Sequence, residues 1–324
     1  MKPFPAFLRR FTLIAAFCTC AIAQAAFPER PVTLVVPFPP GGATDIIGRI
    51  IARGMGERLG QSMVVDNKAG AGTVIGATAV AQAAPDGYML LISSNTTFTV
   101  NPALKTRLPY DPLKSYESIG GVGTSPLVLL ANNGYAPATV KALVADAQAR
   151  PGKIAFGSFG SGTTSHLAGE MLKVMAGVNM LHVPYKGSAP AMTDLIGGQV
   201  QLTFDTNVAA LPMLAAGKVK AIAVTSAQRS RTLPRVPTVA ESGYPGYEMV
   251  PWIVIVAPRG LAADVRSRLG RALSESLADA RIRTDLEKAG MDVGYEPPAA
   301  YDARIARELP LLRAYVHKAG IPVE

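Results

Sequence analysis

From residue 32 onward, short apolar runs alternate with stretches whose hydrophobic residues recur every three to four positions. The runs at 32–38, 63–66, 88–93, 127–131, 154–158, 200–204, 219–225 and 252–257 are rich in Val, Ile and Leu. Strands buried on both faces need that composition, so the runs predict mostly parallel strands. Between them, Ile46, Ile47, Ile50, Ile51, Met55 and Leu59 fall on one helical face, as do Leu167, Met171, Leu172 and Met175. Gly60 and Gly177 follow these helices as stops. Ser188 with Pro190 predicts a cap followed by a proline in the first turn, opening a helix that ends near Gly197-Gly198. Two longer helices are predicted near 262–289 and 298–319. Strand–helix alternation defines an α/β chain.

The first residues break this rhythm. Lys2, Arg9 and Arg10 precede an apolar run at 11–23, which is short for a membrane span, and Ala23-Gln24-Ala25 follows with small residues at the cleavage positions. Residues 1–25 are therefore expected to be a secretory signal peptide and the protein to be periplasmic. Both cysteines, Cys18 and Cys20, lie inside that segment, so the remaining fold rests on its core without disulfides. Roughly 300 residues remain, more than one core usually supports, and two lobes are expected.

Composition narrows the function. Net charge is +9, spread thinly, and aromatic residues are only 6% of the chain, so neither a basic stripe nor stacking platforms for nucleic acid are evident. The three histidines, His166, His182 and His317, are not close in sequence, and no metal site is expected. No Gly-Lys-Ser/Thr follows a glycine turn, and Gly70 to Gly76 has the wrong spacing for a dinucleotide fingerprint, so no cofactor is expected.

Ligands of such sheets bind beyond the carboxyl ends of strands, where helices begin. Two strand–helix turns have the composition for it. Pro40-Gly41-Gly42-Ala43 leads to Asp45, and Ser158, Ser161, Gly162, Thr163 and Thr164 belong to a second glycine-rich turn. Glycine lets the backbone approach a ligand, and the amides at a helix start favour an anion. One turn from each lobe would face the other across a cleft. Asp205, at the end of a strand, is placed to meet an ammonium or hydroxyl, with Thr97 and Asn207 in comparable loops. A rival reading is an exported serine hydrolase with Ser158 or Ser161 as nucleophile, His166 or His182 as base and Asp194 or Asp205 as orienter. It lacks the central serine of Gly-x-Ser-x-Gly. A third is a solute-sensing receptor for a membrane kinase.

Ordered motifs sharpen the choice: Phe27-Pro28-Glu29-Arg30-Pro31, Val35-Val36-Pro37-Phe38-Pro39-Pro40-Gly41-Gly42, Pro85-Asp86-Gly87-Tyr88, Leu108-Pro109-Tyr110-Asp111-Pro112, Ser165-His166-Leu167-Ala168-Gly169-Glu170, His182-Val183-Pro184-Tyr185-Lys186-Gly187, and Ala319-Gly320-Ile321. With them the chain beyond the signal resembles the solute-binding receptors of tripartite tricarboxylate transporters, the Bug-type receptors. The resemblance implies a two-lobed periplasmic-binding-protein (Venus-flytrap) fold, each lobe a mostly parallel sheet flanked by helices. Residues 26–124 plus 226–324 would form lobe 1, and 125–225 lobe 2. The resemblance also implies that the two glycine-rich turns hold a ligand carboxylate, partly through water. It implies capture of a small organic acid or amino acid, delivery to two membrane subunits, and no catalysis. A monomer is expected.

Overall fold

The computed structural model of the chain describes residues 27–323, so the expected signal peptide lies outside the described residues. Two sheets flanked by helices make up the fold. The first sheet is built from β1 (Val32–Val36), β2 (Met63–Asn67), β3 (Met89–Ser94), β4 (Tyr116–Thr124), β10 (Trp252–Pro258) and β11 (Asp292–Glu296), in the order β11-β4-β10-β3-β1-β2. Its helices are α1 (Ala43–Leu59), α2 (Val74–Ala81), the short α3 (Asn101–Leu104), α8 (Ala263–Ala278), α9 (Ala280–Lys288) and α10 (Pro298–Lys318). The second sheet holds β5 (Leu127–Asn132), β6 (Ala155–Ser158), β7 (Leu181–Pro184), β8 (Leu202–Thr206) and β9 (Val219–Val224), in the order β7-β6-β8-β5-β9. With it come α4 (Val140–Ala149), α5 (Thr164–Ala176), α6 (Ser188–Ile196) and α7 (Asn207–Ala215).

The α/β class and two-lobed build agree with the sequence reading, but the sheets are mixed rather than mostly parallel. β1 runs parallel to β2 and β3, and β6 to β7 and β8. β10 is antiparallel to both β3 and β4, β11 is antiparallel to β4, and β5 is antiparallel to both β8 and β9. The cause is connectivity. β5 and β10 are the strands that enter each sheet directly from the other lobe, without a crossover helix to reverse them. The two crossings lie side by side, with Ser125 N donating to Pro251 O at 3.0 Å. Between them, Val224 bridges Thr238, and Leu233 and Val236 pack on the second sheet.

Period-two alternation sets the cores. In β5, Leu127, Leu129 and Ala131 belong to the large cluster that runs through the molecule, while Val128 and Leu130 face a smaller cluster under α6. The helix expected at 262–289 is two helices. Asp279 breaks it with extended dihedrals, and its carboxylate then accepts from Arg281 N to cap α9. α1 and α5 end where Gly60 and Gly177 adopt the left-handed conformation (φ +72° and +62°).

Helix α5 lies flat on β6 because Gly169 leaves room. A β-carbon there would sit 2.2 Å from Cε2 of Phe156, a fully buried ring. Gly169→Ala is expected to lower unfolding free energy by about 1–3 kcal/mol in urea titration, although alanine is the better helix former by about 1 kcal/mol. A gain in stability would contradict this packing.

Candidate functional site

The turn after β1 is shaped by Gly41, whose φ of +78° favours glycine. The helix that follows begins at Ala43 behind an extended Gly42, which has no side chain to cap it. Its first amides therefore lack helical acceptors. Asp45 reaches back beneath the turn. Its carboxylate accepts from Gly41 N at 2.9 Å, Arg49 Nε at 3.0 Å and Asn67 Nδ2 at 3.0 Å. Burial pushes the Asp45 carboxyl up, but the bonds from Arg49, Gly41 and Asn67 together outweigh it and hold the group below its usual range. Asp45 thus fixes the turn and is already neutralised by Arg49.

Opposite this turn stands a helix start that the sequence reading did not place in the site. α6 begins at Ser188 behind Gly187, again with no side-chain cap. A β-carbon on Gly42 would lie 3.8 Å from Cβ of Ser188, so the two uncapped starts nearly touch. The composition was visible, since Lys186-Gly187-Ser188 follows an apolar run by the same strand–glycine–helix pattern as the other turns. Ser188 had been expected to be the cap, but it is the first helical residue and its hydroxyl is used elsewhere.

The two starts wall a narrow cavity that is partly open to solvent. Phe38, Ile47, Phe159, Pro251 and Ile253 give it apolar walls, and Ser94, Thr96, Ser125, Thr164, Ser188 and Thr206 give it hydroxyls. None of the lining residues is charged. Helices α1, α5, α6 and α7 all begin at its wall, so their positive ends converge there. Ser125 Oγ is buried without a hydrogen-bond partner in the protein. Such an atom costs about 1–3 kcal/mol unless something in the cavity satisfies it.

Of the residues singled out from the sequence, Gly42, Ala43 and Thr164 line the cavity. Pro40 and Gly41 are exposed at the tip of their turn. Thr163 caps α5 by accepting from His166 N. Thr164 is held from the other lobe, its hydroxyl 2.7 Å from Thr96 Oγ1 and 2.9 Å from Asn95 Oδ1. Ser161 and Gly162 form the contact between lobes. A β-carbon on Gly72 would come 2.4 Å from Ser161 O, and one on Gly162 would come 2.6 Å from Asn101 Oδ1. Ser161 also lines a second cavity with Lys105 and Lys186, beyond the edge-to-face pair of Phe38 and Phe159. Thr97 turns inward to Ser93 (2.6 Å) and Thr73 (2.8 Å). Asn207 is tied to Ser230 Oγ at 2.9 Å. Asp205 is fully buried behind the cavity wall and bonds two residues that line it, Ser188 and Thr206.

The hydrolase constellation does not assemble. Ser158 Oγ does lie 2.6 Å from His182 Nε2, and His182 stacks on His166 with ring centroids 4.0 Å apart. But Ser158 is fully buried and does not line the cavity. Asp194 accepts from Tyr185 Oη at 2.7 Å, and Asp205 accepts from Ser188. His166 accepts from Gly162 N at 3.3 Å, and burial, then Lys173 and Lys105, push its imidazole down to about 4. Among the described residues no cluster of metal-ligating side chains occurs, and no helix is long and apolar enough to cross a membrane.

The family described as tripartite tricarboxylate transporter family receptor matches residues 47–319. The chain belongs to this family. Protein BugT of Bordetella pertussis is 37% identical over 295 residues, covering 91% of this chain and 90% of BugT. The solved structure of the periplasmic binding protein BugD is 40% identical with a TM-score of 0.89, covering 92% of this chain and all of that one. An R. palustris protein solved with adipate is 34% identical with a TM-score of 0.89, over the same shares. The chain is thus a periplasmic solute-binding receptor of the tripartite tricarboxylate transporter family.

The buried imidazole of His166 gives the receptor a measurable pH dependence. A depressed histidine pKa contributes stability that is complete above about 6.5 and is lost as pH falls toward about 4. Wild-type protein is expected to lose up to about 3 kcal/mol more over that interval than His166→Gln in chemical denaturation. Parallel curves for the two proteins would refute the assignment.

Proposed function

We propose that the receptor captures a small carboxylate-bearing solute in the cavity between its lobes and hands it to the membrane subunits of its transporter. The observation that carries the reading is the meeting of two uncapped helix starts, from α1 and α6, in a cavity walled by hydroxyls and free of charged side chains. Oriented amides and hydroxyls can hold an anion in place of its hydration shell. With no lysine or arginine to bind, the grip remains reversible, as a carrier needs. Gly42, Ala43, Thr164 and Ser188 are the proposed contacts, with Ser125 offering its free hydroxyl. The apolar walls favour an acid with a hydrocarbon portion, and the adipate carried by the R. palustris relative is of that class.

In this reading residues 1–25 are removed on export and the receptor acts as a monomer without catalysis. The lobes comprise 26–124 with the C-terminal third, and the middle of the chain. The notion of a return crossing at 226 is weakened by Leu233 and Val236, which pack on the second sheet and favour a crossing nearer 250. Closure is a hinge motion at Ser125 and Pro251, favoured by a solute that touches both lobes.

Thermal-shift and calorimetric titration with acetate, adipate, malate, aspartate and benzoate test the site. A true ligand at 100 times its Kd adds about 2.7 kcal/mol of native stability. Ser188→Ala or Ser125→Ala should then cost about 1.5–3 kcal/mol of affinity each, since a bond to a charged group is lost. If none of the acids stabilises the protein, or if both variants bind as wild type does, the site is misassigned. A serine-directed fluorophosphonate should label nothing, and labelling of Ser158 would revive the hydrolase.

A further inference from the structure

Resting on that carboxylate site, we propose that Asp205 governs it through Ser188: only with a proton on Asp205 is the Ser188 hydroxyl free to donate to the solute, so capture of a carboxylate takes up one proton. Asp205 is a positioning residue here, because it does not itself line the cavity.

The geometry is a short relay. Ser188 Oγ lies 3.0 Å from Asp205 Oδ1 and 2.7 Å from Oδ2, and it forms part of the cavity wall. Asp205 Oδ1 also accepts from Thr206 N at 2.8 Å. A serine carries one hydroxyl proton. With Asp205 ionised, that proton points at the carboxylate, and Ser188 shows the cavity only lone pairs, backed by a buried negative charge. A carboxylate solute would then meet an acceptor. With Asp205 protonated, the acid's O–H donates to Ser188 Oγ, and the serine proton turns into the cavity toward the solute. The same side chain therefore reads as acceptor or donor according to one proton taken from solvent.

Nothing nearby fixes Asp205 in the ionised form. The elements packed on β8 are β5, β6, α5, α6 and α7. β5, β6 and α7 carry no charged residue. On α6, Asp194 is bound to Tyr185 Oη. On α5, Glu170 pairs with Lys173 at 2.9 Å, and His166 is held neutral by burial. Across the cavity, Asp45 and Arg49 neutralise each other. Burial pushes the Asp205 carboxyl up to about 7, against the lowering effect of its bonds from Ser188 and Thr206. An anion in the cavity disfavours the ionised form further.

Calorimetric titration of the full-length receptor with adipate, malate and acetate, from mildly acidic to mildly alkaline pH, tests the proposal. Repeating each titration in buffers of different ionisation enthalpy counts the protons exchanged. Wild-type protein should take up close to one proton per bound acid at alkaline pH, and its affinity there should fall about tenfold per pH unit. In Asp205→Asn the amide N–H serves as a permanent donor to Ser188, so binding should be flat with pH and take up no proton. Flat wild-type affinity with no uptake would overturn the proposal while leaving the carboxylate site standing. So would affinity that rises with pH, or an unchanged slope in Asp205→Asn. Failure of all three acids to bind at any pH would instead remove the carboxylate site itself, and this inference with it. The proton count is read on wild-type protein, so it holds even if the variant does not fold.

Discussion

The whole arrangement depends on helix amides that the protein declines to satisfy. α1 and α6 each begin behind a glycine that has no side chain to fold back on the helix end. The same fold caps other helices readily: Thr163 does so for α5, Thr206 for α7 and Thr139 for α4. α5 and α7 also begin at the cavity wall, so among the four helix starts that meet there two are capped and two, one from each lobe, are left open. Orphan donors are costly when buried, and bringing two such ends together is tolerable only if an anion answers both.

That demand explains the backbone around the cleft. For opposed helix starts to share one small anion, the lobes must approach more closely than side chains normally allow. Gly187 lies against Pro39, Gly72 against Ser161 O, and Gly162 against the Asn101 amide. Polar bonds then hold the approach in register, with Asn95 and Thr96 of one lobe on Thr164 of the other. The Phe38–Phe159 pair separates the inner cavity from a second one bearing Lys105 and Lys186.

Much of this could be read in the chain. Apolar runs marked eight of the eleven strands described and missed β4, β7 and β11; β1, β3, β5, β8 and β10 are buried along nearly their whole length. β4 escaped because Tyr116–Thr124 is glycine-rich and is held as a strand by pairing with β10 and β11 on either side. The turn at Gly41-Gly42 was legible from its glycines. The hydroxyls of the second turn were legible as well, but not their employment. Ser158, Ser161 and Thr163 look like ligand donors in sequence, yet they bond to His182, pack against Gly72 and cap α5. Which donors are free is decided by what folds against them. Ser188 and Ser125 stand out only once Asp205 and the crossing at Pro251 are in place.

The insertion of β10 between β3 and β4 has a consequence for assembly. Until residue 258 has left the ribosome or the export channel, β3 and β4 have no common neighbour, and the first sheet stays split with open edges. The second sheet draws all its strands from one unbroken stretch, and the residues up to Val239 that pack on it follow at once. The middle of the chain can therefore take shape while its N-terminal portion waits, and the finished receptor is closed by a strand made more than a hundred residues after the one it joins.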